Sequence, residues 1–100
     1  MTVSKEELAA KVDVADWQML RAHLERGGLI FVDGMLDLVE VGVGVAADDV
    51  KSIERWIVSG LIGKPAAPQI EQWDAEQGKR FLCLIVSPYV LIQEESPGKG

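Results

Sequence analysis

The feature that most constrains this chain is the run Phe81-Leu82-Cys83-Leu84-Ile85-Val86-Ser87-Pro88-Tyr89-Val90-Leu91-Ile92-Gln93. Eleven of its thirteen residues are apolar or proline, and none is charged. A bilayer-spanning helix needs about 20 apolar residues, so a run this short belongs in a core. Its richness in Leu, Ile and Val, and its division by Ser87-Pro88, predict two buried strands joined by a bend, Phe81–Val86 and Tyr89–Glu94.

Helix signals fill much of what precedes it. Ser4-Lys5-Glu6-Glu7 fits a capping box, with Ser4 accepting from the Glu7 amide and Glu7 reaching back. A short helix is expected from there to about Val12, burying Leu8 and Val12. A second, capped by Asp13 or Asp16, carries Trp17, Leu20 and Leu24 on one stripe until Gly27-Gly28 stops it. Leu29-Ile30-Phe31-Val32 reads as a short buried strand closed by the Asp33-Gly34 turn. Behind Asp48-Asp49, Val50, Ile53, Trp56 and Ile57 recur at helical spacing, and Gly60 ends that run. Leu61 to Pro65 is a connector, and Pro68 to Glu76 form a further helix with Ile70 and Trp73 facing inward.

Residues 38–46 pull two ways. Val41, Val43 and Val45 alternate with Gly42 and Gly44, which favours a strand, and helix-interior glycines cost about 1 kcal/mol each. Against this, Asp37-Leu38-Val39-Glu40 fits a capping box, with Leu36 and Val41 placed as its hydrophobic staple.

One hundred residues of ordinary globular composition predict one domain over residues 1–95 and a disordered tail at 96–100. The net charge of −6 lies wholly in the first fifty residues, which hold ten acids and four bases, against six of each in the second fifty. Such a field disfavours nucleic acid and anionic membrane surfaces alike. A single cysteine allows no internal disulfide, and no apolar secretory segment opens the chain, so a cytoplasmic protein is expected.

Candidate chemistry is sparse. One histidine, His23, and one cysteine, Cys83, are too few for a structural zinc site. Cys83 sits between Leu82 and Leu84, where a thiol is inert packing rather than a nucleophile. Asp33, Asp37, Glu40, Asp48 and Asp49 offer oxygen ligands to a hard cation, yet they match no EF-hand spacing, and Asp37, Asp48 and Asp49 stand where helix caps are wanted. Gly42-Val43-Gly44 lacks the third glycine of a dinucleotide loop. Trp17, Trp56 and Trp73 lie one per expected helix, in phase with each apolar stripe, and read as core anchors. No catalytic, cofactor-binding or metal-binding set is assigned.

Asp16-Trp17, Gly27 before the strand, Leu36-Asp37-Leu38-Val39-Glu40-Val41, Asp48-Asp49, Trp56, Trp73 and Pro88-Tyr89-Val90-Leu91-Ile92-Gln93 together resemble an uncharacterised family of bacterial proteins of about 100 residues, a domain of unknown function. The resemblance covers roughly residues 5–94 and implies a cytoplasmic bacterial protein with no assigned activity. It also implies a helix over residues 38–46, because the family carries alanine or larger residues at the two glycine positions.

The expected fold is α+β: four to five short helices packed on a small sheet of three strands, with room for a fourth. Three functions are carried forward. A non-enzymatic protein-interaction module ranks first, with the surface at Asp33, Asp37, Glu40, Asp48 and Asp49 as the candidate contact. A cation or small-molecule binder, or an enzyme, using carboxylates around Asp37 and Glu40 ranks second. An acidic regulator that masks a basic partner ranks third. A protein partner is expected, the chain itself as a homodimer included, because Tyr89–Ile92 reads as an apolar sheet edge.

Overall fold

In the computed structural model, which describes residues 4–76 and 78–94, ten elements follow one another. They are α1 (Lys5–Ala9), β1 (Asp13–Asp16), α2 (Trp17–Arg26), β2 (Leu29–Val32), α3 (Leu38–Ala46), α4 (Val50–Val58), β3 (Ile62–Gly63), α5 (Ala67–Ala75), β4 (Arg80–Val86) and β5 (Tyr89–Glu94). The expected tail at 96–100 lies outside the described residues.

The apolar run folds back at Ser87-Pro88, setting Val86 opposite Tyr89 and Phe81 opposite Glu94. Around this antiparallel pair the sheet is built in the order β1-β4-β5-β2-β3. β2 joins β5 in parallel, Leu29 opposite Val90, while β1 and β3 pair antiparallel at the two edges. The sheet therefore has five strands, not three or four. The two unexpected strands are four and two residues long, and neither Asp13-Val14-Ala15-Asp16 nor Ile62-Gly63 has a strand pattern of its own. Their conformation comes from the neighbouring edge rather than from propensity. Pairing of β1 with β4 also ends α1 at Ala9, short of Val12. β5 is central, so Tyr89–Ile92 is no edge and offers no row of free amides to a second chain.

Strand alternation divides the core into two layers. Leu82, Leu84 and Val86 face Leu8, Val32, Leu38, Val41, Ile62 and Leu91, under α1, α3 and α4. Phe81 and Cys83 face Trp17, Leu20, Leu29, Trp73, Val90 and Ile92, under α2 and α5.

The ambiguous segment is helix, and its glycines explain why. A Cβ on Gly42 would lie 2.6 Å from Leu84 Cδ2, so α3 rests on the sheet more closely than any side chain there would allow without moving Leu84. Gly44 faces α4 less tightly, a Cβ there standing 3.2 Å from the Trp56 ring. Close approach thus outweighs the propensity cost. Capping completes the helices. Ser4 and Glu7 exchange both bonds of the capping box, Asp16 accepts from the Met19 amide, and Gly27 closes α2 at φ 83° in the left-handed region. Asp37 caps α3 through the Val39 amide, but Glu40 does not return the bond and turns to Lys5 instead, so the expected box at Asp37–Glu40 is not made.

Candidate functional site

The five acids singled out from the sequence do not converge. Asp33, Asp37 and Glu40 stand at the start of α3, Asp48 and Asp49 at its end, roughly 13 Å away along nine residues. Each has local work. Asp33 accepts from the Met35 amide, and its own carbonyl, with that of Leu36, takes the amide of buried Gln93. Asp37 and Glu40 share the Lys5 ammonium at 3.6 and 3.3 Å. Asp49 caps α4 and accepts from the Ser52 hydroxyl at 2.8 Å. Asp48 adopts φ 58° at the junction of α3 and α4, a left-handed conformation that aspartate tolerates better than most residues. Among the described residues no group of three or more His, Cys, Asp or Glu is arranged to hold a metal ion.

Cys83 lines a cleft with His23, Val14, Met19 and Ile85 but is itself buried. Burial pushes its thiol above the ordinary value, and the charge of Asp13 adds to the effect. A thiol kept protonated is a weak nucleophile.

A second cleft, of about 460 Å³, opens between the start of α2 and the end of α5. Its polar groups are turned on one another. Asp74 Oδ1 accepts from the Trp17 indole at 2.7 Å and lies 3.4 Å from Arg21 Nε. Lys79 reaches Glu76 at 3.7 Å and Glu94 at 3.6 Å, over the Phe81 ring.

The third concavity differs in kind. Ile30, Val45, Ile53, Ile57, Ile62 and Leu91 line a groove of about 240 Å³ between α4 and the sheet, with Asp48 and Tyr89 as its polar members. Sequence spacing pointed Val50 and Ile57 inward, yet they are 53% and 54% exposed, and Val58 is 86% exposed. No residue of α4 is buried, although the helix is strongly amphipathic. Sequence reasoning missed this surface because it took Leu61 to Pro65 for a plain connector. Ile62 there is strand, and with only two residues β3 leaves α4 little sheet to rest on. The signal that could have revealed it was Val58, apolar yet out of phase with the stripe.

A family model described as a protein of unknown function (DUF2288) matches residues 3–94. The chain is also similar to PA1075 from Pseudomonas aeruginosa, whose structure was solved in solution by NMR. The two share 29% identity and a TM-score of 0.80, over 93% of this chain and 85% of that one. A search of curated proteins returned no match.

Proposed function

Because the chain belongs to the DUF2288 family of proteins of unknown function, and so inherits no activity, we propose from its own geometry that it is a small interaction module docking a protein partner on α4 and the groove beside it. The observation that carries this reading is an amphipathic helix whose Ile53 and Trp56 are only partly buried against the core while Val50, Ile57 and Val58 are left exposed. An apolar stripe left half in water is the usual mark of a contact surface.

Size supports a protein partner over a small ligand. Ligand sites span roughly 300–1,000 Å³. The groove, at about 240 Å³, falls below that and suits one or two apolar side chains. The polar cleft is large enough, but its charges already satisfy each other, as do Asp37 and Glu40 through Lys5. A binder or enzyme built on those carboxylates therefore has less support. Asp48 belongs to the proposed surface as the groove's acidic rim; Asp33, Asp37, Glu40 and Asp49 do not. No helix among the described residues is long and apolar enough to cross a membrane. The setting proposed is the bacterial cytoplasm, in keeping with a lone cysteine held as a free thiol.

Affinity capture with three forms of the protein tests the reading. The wild type and Arg21→Ala should retain the same partner, and Ile57→Asp should lose it while keeping a native circular dichroism spectrum. Retention by Ile57→Asp would remove the docking surface from α4.

A further inference from the structure

We propose that the trough between α2 and the β1–β4 side of the sheet binds a small molecule with an anionic head and an apolar body, of the class of a free medium-chain carboxylic acid. The site is separate from α4 and adds a ligand to the interaction module.

The floor of the trough is a stretch of sheet left uncovered. β4 is an interior strand, and on the face it turns to α2 both Phe81 and Cys83 are buried, yet Ile85 is 58% exposed. The seating of α2 explains the difference. Its Trp17, Leu20 and Leu24 pack with Leu29, Val90 and Ile92 in the core. Met19, His23 and Arg26 form a second stripe, roughly a third of a turn around the helix from the first. That flank overhangs the sheet and leaves two concavities beside it. One, of about 400 Å³, has Met19, Leu20, Cys83 and Ile85 as its apolar lining. The other, of about 350 Å³, runs past Arg26 to Ser87 and Pro88. His23 and Ile85 line both, so the two are halves of one trough. Each half falls within the roughly 300–1,000 Å³ of ligand sites, a size the α4 groove does not reach.

The chemistry changes along its length. One end is apolar, while the other gathers the Arg26 guanidinium, the His23 imidazole and the Ser87 hydroxyl, each able to donate a hydrogen bond. None of these side chains, nor that of Lys11 at the far end, makes an ion pair or hydrogen bond among the described residues. The trough holds one acid, Asp13, whose carboxylate accepts from the Val14 amide at 2.8 Å. On a chain of net charge −6, this trough therefore favours an anion. A guanidinium grips a carboxylate with two parallel hydrogen bonds, and the imidazole and hydroxyl beside it reach the remaining lone pairs. An acyl body laid from there along Ile85 toward Met19 covers two apolar side chains that are 58% and 66% exposed.

Titration with octanoate, followed by calorimetry and by amide NMR of isotopically labelled protein, tests the site. Octanoate should bind saturably, with a dissociation constant below about 1 mM, and shift the amides of Met19, His23 and Ile85. Octanol has the same body without the charge, and acetate the charge without the body; each should bind more weakly by about tenfold or more. Arg26→Ala and Ile85→Ser should each weaken octanoate by about tenfold, and both replace exposed side chains, so the native circular dichroism spectrum should be kept. Lys64→Ala removes an equal charge from an exposed position elsewhere and should leave the affinity unchanged to within about twofold. Phosphatidylglycerol vesicles should not sediment the protein.

Absence of saturable octanoate binding, octanol bound as tightly as octanoate, or an Arg26→Ala variant with undiminished affinity would each overturn the proposal. Amide shifts confined to α4 would move the acid to the docking surface and overturn it too. Sedimentation with vesicles that is lost in Arg26→Ala would assign the trough to a lipid surface instead of a free acid.

Discussion

Beneath α2 and α5, the rings of Trp17, Phe31, Trp73 and Phe81 meet at centroid distances of 4.8–5.9 Å, and Trp73 and Phe81 are sealed from water. Over the opposite face α4 lays down Ile53 and Trp56 only partly buried, and Ile57 more than half exposed. Both layers show the same sign in the sequence, apolar residues at helical spacing with a tryptophan in phase. They differ in what lies below. α5 covers Phe31 and Phe81 on interior strands, whereas α4 sits over β3, an edge strand of two residues. Amphipathicity says that a helix has a face to bury; the width of sheet beneath it decides whether the face is buried.

The sharpest way to break this comparison is to remove the centre of the aromatic layer. Trp73→Ala deletes a ring in contact with three others at 2% exposure, and large-to-small changes of that kind cost about 3–5 kcal/mol. Domains of this size have about 5–15 kcal/mol in total, so the variant should lose a large fraction of its stability. Urea denaturation measures it. A loss below about 1 kcal/mol would mean that the aromatic layer is not where stability resides.

A smaller effect comes from the two glycines of α3, one set against the sheet and the other against α4. Alanine at either position gains about 1 kcal/mol of helix propensity. At Gly42 the new methyl meets Leu84, fully buried in β4, and overpacking of about 1–3 kcal/mol should outweigh that gain. At Gly44 it meets the ring of Trp56, which is only partly buried and can give way. Gly42→Ala should therefore destabilise by about 1 kcal/mol, and Gly44→Ala should be neutral or stabilising. Equal losses at both would show α4 to be as firmly seated as the sheet.

These contrasts also explain what the sequence could and could not disclose. The long strands β4 and β5, the capping box at Ser4, the cap at Asp16 and the stop at Gly27 are written in local chemistry and were legible. β1 and β3 were not, because their residues become strands only by contact with an edge supplied from far along the chain. The helix at Leu38–Ala46 was implied by the resemblance and is there, but local chemistry alone left it undecided, because its glycines serve distant partners, Leu84 and Trp56, rather than the local backbone. The candidate site suffered similarly. Asp33, Asp37, Glu40 and Asp49 looked like a cluster in sequence and proved to be separate caps and ion pairs, while the exposed side of α4 follows from the shortness of β3.

The smallest expected effect lies on α4 itself. Val58 ends the helix at 86% exposure, so Val58→Ala removes almost no buried area. Alanine is also the better helix former, by a few tenths of a kcal/mol. The two terms oppose each other, and the net change in monomer stability should fall within about 0.5 kcal/mol. The measurement belongs at low micromolar concentration, because any self-association would add a concentration-dependent term to apparent stability. A loss above about 1 kcal/mol in the dilute sample would mean that Val58 is already packed within one chain, and the contrast between the two faces would fail.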